Sequence, residues 1–297
     1  MVLFTGASGF LGENIYPILS KDYEIDTLGL SVKDKYTINF AQEIPVFDKQ
    51  YDIVLHAAGM AHIIPGTIKQ EEQFFQINFQ GTKNLCAALE RNKPPKTIIF
   101  ISTVAVYGVE SGTDITEEHN LKGTSPYALS KIKAEEYLKT WCLKNHVILG
   151  ILRPSLIAGT NPPGNLGAMI DGIKSGRYLR IGDGKTRKSV LMAEDISRIV
   201  PKIAEVGGIF NICDDRHPYV VELETLIANQ LGKKPPLSVP YWGARGLAIM
   251  GDMIGNRFPI NSFMLDKIVK PLTFSNEKAK RELNWKPLDV LSNFKIQ

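Results

Sequence analysis

A glycine-rich turn lies between a short apolar run and a helical pattern near the start of the chain. Val2-Leu3-Phe4 predicts a buried strand, Thr5–Gly12 reads Thr-Gly-Ala-Ser-Gly-Phe-Leu-Gly, and a helical pattern continues to Leu19. In this context the first glycine permits a tight turn, the second lets backbone approach a pyrophosphate, and the third lets the helix pack on the strand. The helix start offers free N–H groups to phosphates. The pattern therefore predicts a dinucleotide-binding turn, with contacts from Gly6, Ser8, Gly9, Phe10, Leu11 and Gly12.

Apolar strand-like runs alternate with helical patterns through the first half of the chain. The predicted strands are Val2–Thr5, Glu24–Leu30, Ile53–His56, Thr97–Thr103 and Val147–Arg153, and the predicted helices are Phe10–Ser20, Glu71–Glu90 and Pro126–Lys144. This alternation predicts an α/β fold with a doubly wound parallel sheet. We expect residues 1–155 to form the dinucleotide-binding domain, with a returning segment near 194–215. Residues 156–193 and 216–297 are then a smaller C-terminal substrate-binding domain.

Composition narrows the functional class. The net charge of +4 on 297 residues is too small to indicate nucleic-acid binding. Three widely spaced cysteines fit neither a disulfide framework nor a metal site, and they favour a cytoplasmic protein. We expect no signal peptide and no stable membrane insertion, since no run of about 20 apolar residues is present. Tyr241–Ile254 is fairly apolar, and we interpret it as a helix facing the core.

Small and polar residues follow two of the predicted strands at the edge where such folds bind ligands. His56-Ala57-Ala58-Gly59 ends one strand, with Met60 and His62 just beyond, and Ser102-Thr103 ends the next. Because ligands lie at the carboxyl ends of parallel strands, we expect these residues to share one site. His56 is also consistent with a packed, hydrogen-bonded histidine. Scattered histidines and carboxylates give no metal-ligand spacing, so no metal site is predicted.

Tyr127 and Lys131 lie four residues apart in a predicted helix, so they share one face of it. A nearby ammonium group favours the phenolate and lowers a pKa that is otherwise about 10. Such a phenol can remove a proton from an alcohol near neutral pH. The spacing alone is common, and its meaning depends on the dinucleotide turn that precedes it.

Taken in order, these motifs resemble the extended short-chain dehydrogenase/reductase family, in its NAD-dependent nucleotide-sugar epimerase/dehydratase branch. The matching segments are Thr5–Gly12, His56–Gly59, Asn78, Ser102–Gly108, Tyr127 with Lys131, Leu152–Pro154, Arg187 and Leu283–Pro287. The resemblance covers nearly the whole chain. It implies a Rossmann-type domain that binds NAD(P), with further cofactor contacts from His56, Ala57, Ala58, Gly59, Asn78, Ser102, Tyr127, Lys131 and Pro154.

The resemblance also implies roles for individual residues. Tyr127 is the general acid/base, Lys131 lowers its pKa and holds the nicotinamide ribose, and Thr103 hydrogen-bonds the reacting oxygen. Arg187 is expected to bind a nucleotide diphosphate, for which a guanidinium is well shaped. The other expected substrate contacts are Met60, His62, Thr103 and Asn165.

The same resemblance indicates which reaction to expect. Dehydratases of this family carry Asp-Glu directly after the catalytic threonine, and here Val104 and Ala105 take those places. The sequence therefore favours a 4-epimerase or 4-keto reductase, most similar to enzymes acting on UDP-N-acetylated sugars of surface polysaccharides. An NADPH-dependent reductase of a hydrophobic ketone is the alternative. A non-catalytic dinucleotide sensor is disfavoured because Thr103, Tyr127 and Lys131 are all retained.

Two further expectations concern the cofactor and the assembly. NAD-binding relatives end the second strand with an aspartate, whereas here Asp26 comes too early and Asp34 too late. We therefore expect Ser31 and Lys33 to accept a 2′-phosphate, which favours NADP(H) over NAD(H). Members of the family that the chain resembles commonly dimerise, so we expect a homodimer that packs helices 71–90 and 126–144 together.

Overall fold

A computed structural model describes residues 1–254 and 262–296 of the protein. Numbered along the chain, the strands are β1 (Val2–Thr5), β2 (Ile25–Gly29), β3 (Tyr36–Thr37), β4 (Ile53–His56), β5 (Thr97–Ile101), β6 (Gly112–Ile115), β7 (Ile148–Pro154), β8 (Leu156–Ala158), β9 (Arg180–Ile181), β10 (Val190–Met192), β11 (Gly208–Ile212), β12 (Ser238–Val239) and β13 (Leu272–Phe274). The α-helices are α1 (Phe10–Leu19), α2 (Ile68–Phe74), α3 (Gly81–Asn92), α4 (Pro126–Asn145), α5 (Gly164–Lys174), α6 (Ala193–Val206), α7 (Val220–Gln230), α8 (Tyr241–Ile254), α9 (Ser262–Val269), α10 (Glu277–Leu283) and α11 (Val290–Asn293).

Seven strands form the central sheet, in the order β11-β7-β5-β4-β1-β2-β3, and every pair in it is parallel. The sequence order reverses between β1 and β4, which lie side by side, so the sheet is wound in two directions. The predicted doubly wound parallel sheet is therefore confirmed. This reversal is where such a sheet leaves a crevice for a ligand.

Helices cover both faces of the sheet, and apolar side chains fix which face each helix takes. On one face α1 and α6 contribute Ile15, Leu19, Ile196 and Ile203 to the core. On the other face α3 and α4 contribute Leu85, Leu89, Leu138 and Trp141. The three cysteines are free and buried.

The predicted helix Glu71–Glu90 is longer and less regular than expected. It begins at Ile68 and ends at Asn92, and Phe75–Gln80 is a π-helical segment between α2 and α3. Thr67 caps its start by accepting a hydrogen bond from the Gln70 amide. A π segment widens a helix locally and shifts the side chains that it presents, often at a functional site. Asn78, one of the predicted cofactor residues, lies within it.

The second half of the chain builds smaller units beside the sheet. A separate apolar cluster joins α5 and α7 with β10 and α11. The paired helices α8 and α9 pack through Ala244, Ala248 and Leu265 against Ile181 of β9 and Val239 of β12. The inner face of α8 is thus core-facing, as predicted. Within the described ranges, the structure contains no helix long and apolar enough to cross a bilayer.

Candidate active site

The glycine turn packs directly against the end of the neighbouring strand β4. Gly6 has a φ of +81°, and a Cβ there would lie 2.7 Å from the Ala58 nitrogen. Its amide donates to the Leu28 carbonyl at 3.1 Å, which ties the turn to β2 as well. A Cβ at Gly12 would lie 2.4 Å from the Gly6 and Ala7 carbonyl oxygens, so this glycine lets the helix close on the turn. Side chains at residues 6 and 12 are therefore sterically excluded.

The open side of this turn fits the pyrophosphate of a dinucleotide. Ser8 and Gly9 are exposed, and Gly9 begins α1 without any side-chain cap on the first-turn amides. A Cβ at Gly9 would meet only the Gly6 carbonyl, at 3.4 Å, so the outer face is unobstructed. Uncapped amides at a helix start bind anions. Bound there, NAD(P) would supply hydride acceptance or donation, and the residues described next would handle the proton.

His56 is enclosed at the end of β4 and supports the site from beneath. Its Nδ1 lies 2.7 Å from the Thr5 hydroxyl and its Nε2 lies 2.9 Å from the Thr82 hydroxyl. Burial, with a smaller contribution from the Lys131 charge, lowers the pKa of His56 to about 3. The ring is therefore neutral, and its geometry favours positioning of the strand end over direct contact with a ligand.

The depressed pKa of His56 predicts a loss of stability in mild acid. The unfolded histidine takes up a proton as pH falls through about 6.5, whereas the folded one stays neutral until about pH 3. This stabilisation is fully present above 6.5 and declines below it, by about 2 kcal/mol between pH 7 and pH 5. Urea unfolding across this range should show a shallower dependence on pH for His56→Gln than for wild type. Equal slopes would contradict the buried neutral histidine.

Asn78 clamps the segment that leaves β4. Its Oδ1 accepts from the Met60 amide at 2.7 Å, and its Nδ2 donates to the Met60 carbonyl at 3.1 Å and to the Ser130 hydroxyl at 2.9 Å. A Cβ at Gly59 would lie 3.0 Å from Asn78 Oδ1 and 3.1 Å from Lys131 Nζ. Asn78 thus joins the strand end to α4, and a side chain at residue 59 would require Asn78 and Lys131 to shift by a few tenths of an ångström.

Thr103, Tyr127 and Lys131 converge at the carboxyl edge of the sheet, as predicted. Ser125 caps α4 by accepting from the Ala128 amide at 3.2 Å, which fixes the turn that carries Tyr127. The Thr103 hydroxyl is hydrogen-bonded to the Tyr127 phenol and also accepts from the Ala105 amide at 3.1 Å. Lys131 Nζ donates to the Ile101 carbonyl at 2.8 Å. Thr103 and Tyr127 therefore lie together, and Lys131 is held at the carboxyl end of β5.

The pKa of Tyr127 differs from the sequence-based expectation. Burial raises it, and the hydrogen bond with Thr103 only partly offsets this. Burial also disfavours the charged form of Lys131 and lowers its pKa to about 8, although the charge of Glu135 acts in the opposite direction. The expectation that the ammonium lowers the phenol's pKa is not met here. The physical reason is that burial disfavours the phenolate, and the opposing effect comes from Thr103.

A buried polar network behind the site was not predicted from the sequence. Glu135 accepts from Ser102 at 2.5 Å and pairs bidentately with Arg153, Nε to Oε1 at 3.1 Å and Nη2 to Oε2 at 2.6 Å. Arg153 also donates to the Tyr107 hydroxyl at 3.0 Å, and that hydroxyl donates to Asn211 at 2.7 Å. Ser102 and Tyr107 thus both belong to this network, and the cofactor contact of Ser102 stays a prediction. The spacing Tyr127, Lys131, Glu135 on one helix face is the signal that could have revealed this network.

The structure brings two of the predicted substrate residues, His62 and Asn165, close together and places Arg187 in a separate cavity. A Cβ at Gly164 would lie 2.7 Å from His62 Nδ1, which brings His62 beside the exposed start of α5, where Asn165 lies. The Arg187 guanidinium lies 4.5 Å over the Tyr219 ring and donates to the Arg216 carbonyl at 3.1 Å. It lines a cavity of about 730 Å³. Its remaining N–H groups can meet an anion.

Arg180 was missed by the sequence reasoning. Its Nε pairs with Glu224 at 2.5 Å, and its Nη2 is buried without a partner among the described residues. It lines a smaller cavity of about 80 Å³ together with Thr186 and Ile268. An unpaired buried donor is costly, so this nitrogen marks a place for a polar ligand atom or water.

The Asp34 carboxylate lies beside the end of β2, although its position in the sequence predicts that it comes too late in the chain to do so. The chain turns back after Gly29, and Asp34 Oδ2 accepts from the Ser31 amide at 2.9 Å. A Cβ at Gly29 would lie 2.5 Å from the same oxygen, so the carboxylate occupies the space beside that glycine. The premise that no carboxylate could oppose a 2′-phosphate near Ser31 and Lys33 is therefore wrong.

Comparison with known sequences identifies relatives of similar length. The chain is 28% identical, over 94% of its length and 88% of the relative's, to N-acetyl-alpha-D-glucosaminyl-diphospho-ditrans,octacis-undecaprenol 4-epimerase of Escherichia coli O157:H7. It is 25% identical to UDP-glucose 4-epimerase of Vibrio cholerae, over 98% and 92% of the two chains. It is 26% identical to GDP-6-deoxy-D-mannose reductase of Pseudomonas aeruginosa, over 76% and 78%.

Solved structures share the fold. UDP-glucuronic acid 4-epimerase from Bacillus cereus in complex with NAD superposes with a TM-score of 0.72 at 19% identity, covering 98% of this chain and 95% of that one. RMD from Pseudomonas aeruginosa complexed with NADPH gives 0.71 at 21% identity, covering 98% and 94%. The NAD dependent epimerase/dehydratase family matches residues 2–213. The chain therefore belongs to that family and is an NAD(P)-dependent enzyme of the extended short-chain dehydrogenase/reductase type.

Proposed function

We propose that the protein is a 4-epimerase or 4-keto reductase of a nucleotide sugar, with a UDP-sugar as the first candidate. The observation that carries this is the convergence of Thr103, Tyr127 and Lys131 beside the dinucleotide turn. Val104 and Ala105, which follow Thr103 in a short 3₁₀ turn, offer no acid or base for water elimination. Relatives that are named 4-epimerases and reductases support the same kind of reaction.

In this proposal the protein's own residues handle the proton at the sugar oxygen. In reduction the Tyr127 phenol gives its proton to a carbonyl oxygen and becomes a phenolate; in oxidation the phenolate takes the proton of a hydroxyl and becomes a phenol. Thr103 holds that oxygen against the phenol. The raised pKa of Tyr127 keeps the phenol protonated in the ligand-free protein, which suits proton donation. Asn78 fixes Met60 on the opposite side of the site.

A sugar diphosphate attached to a polyprenol is a second candidate substrate. Two observations favour it: the relative from Escherichia coli O157:H7 carries such a substrate in its name, and α8 exposes apolar side chains. Arg187 would serve either candidate, since both present a diphosphate. A reductase of hydrophobic ketones would have no use for that guanidinium.

Measuring turnover of each candidate substrate distinguishes these proposed functions. UDP-, GDP- and dTDP-sugars, and N-acetylglucosaminyl-diphospho-undecaprenol in detergent, are each incubated with the enzyme and NAD(H) or NADP(H). We expect inversion at C4, or reduction of the 4-keto sugar, with one of the diphosphate sugars. Turnover of a simple hydrophobic ketone, with no thermal stabilisation by UDP, would contradict the proposal.

For the cofactor we propose NAD(H), which reverses the preference inferred from the sequence. Asp34 lies at the carboxyl end of β2, beside the turn that Gly6 ties to Leu28. A carboxylate at this place accepts hydrogen bonds from the adenosine ribose diol and repels a 2′-phosphate. Asp34 supplies this carboxylate although it lies five residues beyond the end of β2 in the sequence.

Asp34→Asn is therefore expected to weaken NADH binding and to strengthen NADPH binding. Because a hydrogen bond to a charged group contributes about 1.5–3 kcal/mol, we expect roughly a tenfold or greater rise in the Kd for NADH. Fluorescence titration of both reduced cofactors measures this without any substrate. Asp22→Asn, an exposed change before the amino end of β2, is the matched control. Tighter NADPH than NADH binding by the wild type would refute the assignment.

A further inference from the structure

The outer face of α8 is apolar although it faces solvent. Ala244 and Ala248 point inward and are buried, while Trp242 is 79% exposed, Ile249 49% and Met250 50%. Residues 242, 249 and 250 lie on one side of the helix, since a spacing of seven or eight is two turns. A surface helix ordinarily turns polar residues outward. A helix that is apolar on both faces indicates a partner for the outer one.

Neighbouring segments extend this surface. Leu237, which is exposed, immediately precedes β12, and its carbonyl accepts from the Arg180 amide at 2.9 Å. That bond places the exposed Leu179 beside it. Ile268, exposed on α9, also lines the cavity that contains the unpaired Arg180 nitrogen. The apolar surface therefore borders the substrate side of the molecule.

The charges around this surface are mainly positive. Lys233 and Lys234 are exposed just before β12, and no ion pair within residues 1–254 and 262–296 involves them. Of the nearby acidic groups, Asp266 is paired with Arg245 and Lys270, whereas Asp252 of α8 is hydrogen-bonded to Ser262 and keeps its charge. An exposed tryptophan and isoleucine flanked by lysines match the composition of helices that lie in the interface of an anionic membrane.

We propose that the outer face of α8 docks reversibly on the surface of an anionic phospholipid membrane. This rests on the second candidate function, in which the sugar diphosphate is held at such a surface by its polyprenol. Trp242, Ile249 and Met250 would enter the headgroup boundary while Lys233 and Lys234 meet lipid phosphates. Even with Leu179, Leu237 and Ile268 included, six partly exposed side chains offer less than the about 800 Å² that each partner buries in a stable protein interface, which disfavours a second copy of the chain. A small apolar contact assisted by charge is sufficient for reversible membrane binding.

Tryptophan fluorescence tests the docking directly. Trp141 and Trp285 are only 5% and 6% exposed, so a lipid-induced change reports on Trp242. Vesicles of phosphatidylglycerol and phosphatidylcholine should shift the emission to the blue and pull the full-length protein into the pellet on centrifugation. Vesicles of phosphatidylcholine alone should bind more weakly, and salt should reduce binding to the anionic ones.

Variants distinguish binding through this surface from nonspecific binding to vesicles. Ile249→Ser with Met250→Ser keeps the reporter and should reduce the bound fraction at least fivefold. Leu143→Ser, a change at an apolar residue on α4 that is more exposed than either of these, should not. Both proteins should turn over a water-soluble sugar nucleotide like the wild type. Equal vesicle binding by the two variants, or an unchanged spectrum at low salt, would overturn the proposal.

Failure of the docking and failure of the substrate assignment give different results. Turnover of a UDP-sugar without vesicle binding overturns the membrane surface and leaves the Tyr127 chemistry intact. Vesicle binding that depends on Ile249 and Met250 upholds the surface even if the polyprenol-linked sugar is not turned over. A change in sedimentation coefficient for the double variant, without vesicle binding, would assign the face to a second copy instead.

Discussion

Replacing Tyr127 with phenylalanine is expected to lower kcat by about a thousandfold, within the 10²- to 10⁴-fold range of general acid–base catalysis. The change removes one hydroxyl, the group that Thr103 holds at the end of the dinucleotide turn. The ring, which lies 6.1 Å from that of Phe74, keeps its packing. Steady-state kinetics on the substrate identified by the screen measures the effect. Because the ring remains, the Kd for NADH and the unfolding midpoint should change little.

Tyr107→Phe is the matched control for this experiment. That hydroxyl is also buried, but it bonds to Arg153 and Asn211 within the network behind the site. Its loss should lower the free energy of unfolding by about 1–3 kcal/mol, the cost of leaving buried polar groups unpaired. It should leave kcat within a few-fold of wild type. If Tyr127→Phe retained kcat within tenfold, another group would have to supply the proton.

Replacing Glu135 with leucine is expected to lower the free energy of unfolding by about 3–5 kcal/mol, because it leaves a buried guanidinium without its carboxylate. Arg153 and Glu135 are both buried, and two of the three hydrogen bonds that Arg153 donates to described residues go to this one carboxylate. Ser102 also loses its acceptor. Urea unfolding followed by circular dichroism measures the change. A loss of this size is a large fraction of the stability of an ordinary domain.

The double variant Glu135→Leu with Arg153→Met tests the physical reason. Since it removes both charges, it should be more stable than Glu135→Leu alone, as buried ion pairs replaced by apolar groups often are. Glu90→Gln breaks the exposed pair with Lys144 and should have a much smaller effect. A double variant as unstable as the single one would show that the pair matters through shape and packing, not through charge.

The sequence was sufficient for the elements whose signals are local. The glycine turn at Gly6–Gly12 follows from steric limits within a few residues, and α4 follows from the Ser125 cap and Pro126 at its start. Alternation of strands and helices then fixes a parallel sheet, because parallel strands require crossovers. The place of Thr103 and Tyr127 at one edge follows from the same rule. Each of these depends on a pattern that a short window of residues contains.

Sequence-based predictions were wrong or missing where contacts join residues that are distant in the chain, or where burial determines the protonation of a group. Asp34 could not be assigned from its position in the chain, because only the return of the loop brings its carboxylate to Gly29. The pKa of Tyr127 could not be read from its spacing to Lys131, since desolvation depends on everything packed around the ring. The pairing of Glu135 with Arg153 spans α4 and β7: the helical spacing places Glu135 on the same face as Lys131, but it does not identify Arg153 as the partner.

The sequence by itself thus determined the sheet, the glycine turn and the helix that carries Tyr127 and Lys131, because local sterics and periodicity specify them. Only the tertiary structure decided the electrostatics around them: where the Asp34 carboxylate lies, whether His56 is charged, and which carboxylate neutralises Arg153. Those outcomes depend on distance and desolvation, which are set when segments far apart in the chain pack together.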